Sequence, residues 1–550
     1  MLFFRLGSVP LMQPDEGRNA EVAREMAVGS SWLVPTLEGL PYLDKPALYF
    51  AMVAASLSVF GVNEWGARLP SALSGVAILA MVYRFSSRHF SRATAAFGVI
   101  VLATSPLFFA FSRIVILDAT LAACTVAAVF SAFTAESGPV PDRRWHAAAA
   151  AFSGIGVLVK GPVGVLVPAA VVVVYFWVDG RASALKRVFA VRNVVIVLAL
   201  VVPWFAALVR AYPEFAHYGL VEETLTRFFT PSFNRGGPFW YFVPALLISI
   251  FPWALLFVPA AFGAWPARDR LTAADRLLVT WVIVVVVFFS LSRTKQPAYI
   301  LTAVVAAAAL VARGLGRAWT NRGGRATRLV ARGSLVLAGI ALVAAGALGI
   351  AAARGIAGPG RLSAMPDDAR AIWLSWPRFV TALLIVAVLA AAAYWKRNVG
   401  LSVAAFAAFP LALVTVAFPA YAGFARARSA KPLAGVLASA PADAEIACFE
   451  AYPAGLSFYL GRTITVVSES AKPLRSNFIL YWMSRTASAP EALVLPSDRD
   501  RWLAHGPRTV RIVAPDEAHA DLAAWLGGGV PVEPLVPGWW GASVPSSASR

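Results

Sequence analysis

The feature that most limits how this chain can fold is a succession of apolar windows, about twelve of them, each near the roughly 20 residues that carry a helix across a hydrocarbon core. They centre on Ser71–Phe85, Ala93–Phe109, Ile114–Phe133, Ala147–Val159, Val163–Val178, Val194–Val209, Tyr241–Phe262, Leu277–Leu291, Ala298–Val311, Leu335–Ala353, Phe379–Tyr394 and Leu401–Phe424. A backbone amide finds no water in lipid, so such stretches are predicted to be helices whose hydrogen bonds close within the segment. With 59% hydrophobic and 14% charged residues, the chain is too apolar for a soluble protein of its size. An α-helical polytopic membrane protein is the expected class.

Charge then sets the topology. Every second connection is basic: Arg84/Arg88/Arg92, Arg143/Arg144, Arg181/Lys186/Arg187/Arg192, Arg268/Arg270/Arg276, the run from Arg313 to Arg332, and Lys396/Arg397. These are predicted to be cytoplasmic, although the Arg313 run could also meet anionic lipid headgroups. The alternate connections, including Ala211–Phe239, and the tail after Phe424 then face outward. The net charge of +19 is explained by this pattern and not by nucleic acid, since the cations form no face with base-stacking aromatics. The same alternation puts residues 13–68 outside. Met1–Leu11 is therefore expected to be the outer end of a helix whose beginning is missing, with an interfacial resting place as the alternative.

After Phe424 the composition becomes mixed. Strand-like runs at Ile464–Val467, Ala492–Leu495 and Thr509–Val513 alternate with helical stretches at Pro432–Ser439 and Glu517–Leu526. The plan is thus a transmembrane domain over 1–424, with an outer loop at 12–68, and a C-terminal extracytoplasmic α/β domain over 425–550. The two cysteines, Cys124 and Cys448, fall in different parts of this plan, so neither a disulfide framework nor a cysteine metal site is expected.

The outer loop carries the chemistry-bearing residues. Asp15 and Glu16 follow Pro14, and small residues at Ala20, Ala23 and Ala27 with charges between them predict an amphipathic helix along the membrane surface, with Asp15 at its N-cap. Capping alone would explain Asp15. Yet Lys45 in the same loop, Lys160 in a Lys-Gly-Pro turn, and Arg293 and Lys295 in Ser-Arg-Thr-Lys-Gln-Pro all fall on the outer face of the inferred topology. Cations there run against the usual bias and call for anionic partners, although each alone could be a snorkelling or loop residue. Together with one carboxylate they read as a phosphate-binding basin beside a base. Asp118, just inside a span, is either a cavity wall or a structural partner of Arg113. Tyr42, Trp32, Tyr49, Trp240 and Tyr241 could stack on sugars or serve as an interfacial belt. His217 has no spaced companion for a metal motif.

The runs Q-P-D-E-G-R-N-A-E-V-A-R-E-M, W-L-V-P-T-L-E-G-L-P-Y-L-D-K-P-A-L-Y-F and F-G-V-N-E-W-G-A-R-L-P-S-A-L, with later V-K-G-P, P-F-W-Y-F and S-R-T-K-Q-P-A-Y-I-L, resemble the bacterial 4-amino-4-deoxy-L-arabinose transferases of lipid A. These belong to the wider protein-mannosyltransferase-like superfamily. The resemblance implies a C-type glycosyltransferase fold of thirteen helices with an outward C-terminal domain. It also implies a catalytic role for Asp15, donor-phosphate binding by Lys45 and Tyr299, and neighbouring roles for Arg18, Tyr42 and Asp44. The chain departs from the family at Ala47, where a second proline is common, at Asn19, where a tyrosine is common, and near Asn234/Arg235, where a histidine is common.

The expected function is a glycosyltransferase that takes a sugar from an undecaprenyl-phosphate carrier and passes it to lipid A or another envelope acceptor, at the periplasmic face of the bacterial inner membrane. Asp15 is the expected catalytic residue. Lys45, Tyr299, Lys160, Arg293 and Lys295 are the donor-phosphate set, and Glu16, Arg18, Tyr42, Asp44 and Asp118 the substrate-binding set. Membrane lipids are expected partners and nucleic acid is not. The residues commit to no cofactor, and a divalent metal is left open. The alternatives are a superfamily relative that glycosylates protein or glycan, and a transporter of lipid-linked sugars. The single surface on which the charges gather, and the lack of repeated halves, speak against transport.

Overall fold

The computed structural model describes all residues except 30, 227–235, 260–270, 355–369, 371–372, 442, 486–491, 505–508, 528 and 546–550. Asn234, Arg235, Arg268 and Arg270, and the end of the window closing at Phe262, lie outside the described residues.

Among the described residues, eight helices are long and apolar enough to cross a membrane: Glu64–His89, Asp118–Ala135, Val191–Ala211, Ala273–Leu291, Pro297–Thr320, Arg325–Ala353, Trp376–Lys396 and Val399–Ala427. The chain is a multi-pass membrane protein. Three further predicted windows fall on shorter apolar helices, Arg92–Ala103, Val163–Val178 and Phe239–Ser249. A fourth lies in Arg143–Lys160. The window Ala93–Phe109 is broken after Ala103, and a new helix starts at Pro106, the position where proline's missing N–H costs nothing.

The chain divides into two compact units. Met1–Phe4, Ser71–Pro203 and Thr224–Phe424 form a membrane unit. Arg5–Pro70, Trp204–Glu223 and Ala425–Arg550 form the second, so the outer loop groups with the C-terminal region and not with the spans.

The membrane unit is built around Leu301–Thr320, in which every residue from Leu301 to Ala312 is buried. Its alanines let neighbours approach closely, the means by which helices associate where lipid removes the hydrophobic driving force. Trp253 and Trp281 are fully buried in the same core, and Phe85 stacks on Phe130 at 4.1 Å. Outer helices keep apolar side chains in the open, with Val343 at 73% and Val388 at 68% exposure, as lipid-facing surfaces require. The helices Arg143–Lys160 and Val163–Val178 form a tight hairpin. Gly161 supplies the left-handed turn at φ +81°, and a Cβ on Gly164 would lie 2.1 Å from the Gly156 carbonyl carbon. Lys160 is held at the apex.

In the second unit a hairpin of β1 (Thr36–Leu37) and β2 (Leu40–Pro41) precedes a six-stranded sheet. Its strands are β3 (Glu445–Phe449), β4 (Thr465–Val467), β5 (Leu493–Val494), β6 (Val510–Pro515), β7 (Val532–Val536) and β8 (Trp539–Val544), in the order β5-β4-β3-β6-β8-β7. The first four strands in that order run parallel, and β8 joins β6 and β7 antiparallel. Helices Lys431–Leu437 and His519–Leu526 match the two predicted stretches, and an α/β domain is what forms.

The helix Asp15–Val28 departs from expectation. It begins with Pro14 at the cap and Asp15 as its first residue, and most of its length is enclosed by protein, including Glu16, Glu21, Arg24 and Glu25. It is not an amphipathic helix resting on a surface. Gly17 shows how close the enclosure is, since a Cβ there would sit 2.2 Å from the Ala454 carbonyl oxygen. Residues 2–7 form turns and not the end of a helix.

Candidate active site

The predicted site residues divide between the two units. In the second unit, of the four acids on the helix Asp15–Val28, three are taken up by the fold. Glu16 is bidentate to Arg68, at 2.8 and 2.9 Å, and accepts the Met12 N–H. Arg68 goes on to donate to the carbonyls of Leu6, Val9 and Pro10. Glu16 therefore clasps the start of the chain and is not free to reach a substrate. Glu21 pairs with Arg24 through two bonds, at 2.6 and 2.8 Å. Glu25 accepts from Thr36 Oγ1 and from the N–H groups of Glu38 and Gly39.

Asp15 is different. Its side chain is 44% exposed and accepts from Arg18 Nη2 at 2.7 Å, while Arg18 Nη1 donates to the Arg475 carbonyl at 2.7 Å. The carboxylate sits at the positive end of the helix, which favours its charge. Arg18 lies 5.8 Å over the Tyr42 ring, and its Nε is buried without a hydrogen-bond partner. Burial works against the Arg18 charge, but Tyr42, Asp15 and Asp44 around it outweigh this and hold the guanidinium above its ordinary pKa. Burial first, and then the carboxylates of Asp44 and Asp15, push the Tyr42 hydroxyl above the usual phenol range in spite of Arg18, so it remains a donor.

Asp44 and Lys45 follow Tyr42 with opposite duties. Asp44 accepts from Tyr218 Oη at 2.7 Å and from the N–H groups of Asn477 and Phe478, so it ties the loop to the start of helix Asn477–Met483. Lys45 donates to the Asp44 carbonyl at 2.8 Å and pairs with Glu223. An anion that Lys45 binds must compete with that carboxylate. Tyr218, Glu223 and Arg68 were not singled out as site residues from the sequence. The signal for Glu223 was the need of an outward lysine for an acid, but the two stand 178 positions apart.

In the membrane unit Lys160 Nζ meets Asp118 Oδ1 at 2.6 Å and lies 5.8 Å over the Tyr299 ring. Tyr299 in turn packs on Phe289 with ring centroids 5.0 Å apart. Lys160, Asp118 and Tyr299 are thus brought together. Arg113, weighed as the partner of Asp118, instead donates to the carbonyls of Met1, Leu2 and Phe4. On the loop 292–296 Arg293 is exposed, whereas Lys295 is buried and donates to three carbonyls.

Among the described residues, Glu21, Glu25 and Glu38 are close enough to share a cation, with candidate ligand oxygens within 4.8 Å of one another. Protein donors already serve them. Glu38 accepts from Tyr452 Oη, Ser457 Oγ and the Ile464 N–H. Burial and the Glu25 charge nevertheless raise Glu38 from 4.5 to about 7. Below 4.5 Glu38 is protonated folded or unfolded, between 4.5 and about 7 only the folded protein keeps the proton, and above that the fold holds a buried charge. Stability should therefore fall as pH rises from about 4.5 to 7, by about 3 kcal/mol from this group. Thermal unfolding of the detergent-solubilised protein across this window checks it. Glu38→Gln should flatten the slope, and an unchanged slope in that variant would remove Glu38 as its source.

The fold is that of a polytopic helical membrane protein with a C-terminal α/β domain. The crystal structure of ArnT from Cupriavidus metallidurans bound to undecaprenyl phosphate aligns with a TM-score of 0.82 at 24% identity, covering 98% of this chain and 95% of that one. Its apo structure aligns at 0.78. Residues 44–206 match the family model of dolichyl-phosphate-mannose-protein mannosyltransferases. Undecaprenyl phosphate-alpha-4-amino-4-deoxy-L-arabinose arabinosyl transferases of Erwinia tasmaniensis and Shewanella sediminis are each 30% identical, over 55% and 58% of both chains respectively. The chain thus spans somewhat over half the length of the curated relatives it matches. Over that part of its sequence, and by fold over nearly its whole length, the chain is similar to the 4-amino-4-deoxy-L-arabinose transferases.

Proposed function

We propose that this protein is a glycosyltransferase that moves a sugar from an undecaprenyl-phosphate carrier to an envelope acceptor such as lipid A, at the periplasmic face of the inner membrane. The observation that carries the reading is Asp15: a half-exposed carboxylate held by Arg18 on a helix whose other acids are committed to the fold, in the unit that also carries Lys45.

In the proposed reaction an acceptor oxygen forms a bond to the anomeric carbon as the bond from that carbon to the carrier phosphate breaks. The electron pair leaves with the phosphate, and the configuration inverts. Asp15 orients the acceptor and takes its proton where it has one. Where the acceptor is an ionised phosphate, Asp15 positions it only. Lys45 is assigned to the charge that builds on the departing phosphate, and Lys160, Arg293 and Tyr299 of the membrane unit are assigned to the carrier phosphate as well. Arg18 and Tyr42 shape the surroundings of Asp15, and Asp44 keeps the loop in place. The alternation of basic connections supports a periplasmic position for the C-terminal sheet.

The test is transfer by the purified full-length protein, using an undecaprenyl-phosphate-linked aminopentose carrying a label, with lipid A as acceptor. Label in lipid A is the expected result. Label recovered in protein or polysaccharide would select the rival acceptors. Donor carried across a vesicle membrane without transfer would replace the enzyme with a transporter.

A further inference from the structure

We propose that Lys295 is a positioning residue: its ammonium closes the C-terminus of helix Ala273–Leu291 and so fixes the loop that presents Arg293 and Tyr299. The last carbonyls of a helix have no partner within it, and a lysine can supply one while offsetting the negative end of the dipole. Lys295 has three N–H groups, and they meet three carbonyls: Phe289 at 3.1 Å, Ser290 at 2.7 Å and Ser292 at 2.6 Å. A phosphate could be bound only by giving these up.

The surroundings agree with a closed clasp. Lys295 is 7% exposed, its Nζ lies 5.4 Å over the Phe242 ring, and a Cβ on Gly237 would come within 2.8 Å of its Cγ. A backbone bridge joins Gly236 to Thr294, and Ser292 Oγ donates to the Thr294 carbonyl at 3.3 Å. Burial also holds the ammonium below the ordinary lysine range, as expected of a group placed for structure in an enclosed site. Two residues away Arg293 is exposed. Of the two cations that the sequence offers in this loop, one is committed inward and one is available.

The inference rests on the donor-binding reading only for what the loop does, not for how the loop is held. The experiment therefore reads both in the full-length protein. Lys295→Met should raise amide hydrogen exchange over 289–300 at least about tenfold. It should also lower kcat about tenfold or more, with the KM for an undecaprenyl-phosphate-linked aminopentose within about twofold, because the reacting groups are misplaced and not removed. Arg293→Gln should raise that KM and leave exchange unchanged. If Lys295→Met raises KM as Arg293→Gln does, with exchange like the parent's, Lys295 is a ligand and the proposal is overturned. Raised exchange with transfer unaffected in both variants would uphold the clasp and reject the donor reading of the loop. Should Lys295→Met not accumulate, Gly237→Ala presses on the same side chain and should reproduce the raised exchange; parent-like exchange in that variant would count against the clasp.

Discussion

Asp15→Asn is expected to abolish sugar transfer, by roughly 10²- to 10⁴-fold, the range over which a positioned acid or base contributes, while the protein inserts and accumulates as the parent does. The two halves of this expectation come from the same geometry. The Asp15 side chain is 44% exposed and its one described bond is to Arg18, so an amide of equal shape keeps an oxygen for that bond. Loss of the charge costs the helix start about 0.3–1 kcal/mol, too little to threaten folding. What the amide cannot do is take a proton or hold a hydroxyl donor with a full negative charge. Membrane levels of the two proteins are compared first, and then transfer of labelled sugar per unit of protein. Turnover within about tenfold of the parent would remove Asp15 from the chemistry. A pH profile separates its two roles: a base leaves a titration limb that vanishes in the variant, whereas positioning of an already ionised acceptor lowers the rate at every pH.

The membrane part was legible because hydropathy is a property of consecutive residues. Most of the predicted windows lie on helix within the described residues, but Ile114–Phe133 becomes helical only at Asp118, Tyr241–Phe262 is broken at 250–253, and the break before Pro106 carries its own local mark. Asp15 and Arg18 stand one helical turn apart, yet the sequence reading named the two residues without pairing them. The C-terminal sheet was read in part. Glu445–Phe449 shows no alternation and is missing from the sequence reading although it is central to the sheet, and the β7–β8 hairpin is missing too, although Pro537-Gly538, with Gly538 at φ +87°, marks its turn. What the sequence could not show is which charges face inward. The spacing of Glu21, Arg24 and Glu25 suits a wet helix face as well as it suits the enclosed network they form, because periodicity records where a face lies and not what covers it. Lys295 gave the same difficulty. A lysine in an outward loop reads as available, and only its three carbonyl partners reveal otherwise.

Arg68→Met is expected to be the most destabilising single change in the second unit, at about 3–5 kcal/mol, the usual cost of removing one partner from an enclosed ion pair. Arg68 and Glu16 have side-chain exposures of 3% and 5%, so Glu16 would lose the guanidinium that meets both its oxygens in a place that water does not reach. The guanidinium also serves the carbonyls of Leu6, Val9 and Pro10, and each of these loses a donor with it. The effect should reach the site through the chain itself, since Glu16 adjoins Asp15 and accepts the Met12 N–H. Comparison of three proteins separates the contributions. Glu16→Leu combined with Arg68→Met removes the buried carboxylate as well and should recover the larger part of the loss, but not the part owed to the three carbonyls. Arg68→Lys keeps the charge yet lacks the planar fork that meets a carboxylate twice, and should fall between the parent and Arg68→Met. Thermal unfolding in detergent, read beside the amount of protein recovered from membranes, orders the series. If Arg68→Met unfolds within about 1 kcal/mol of the parent, as an exposed pair would, then the clasp does not hold the start of the helix that presents Asp15.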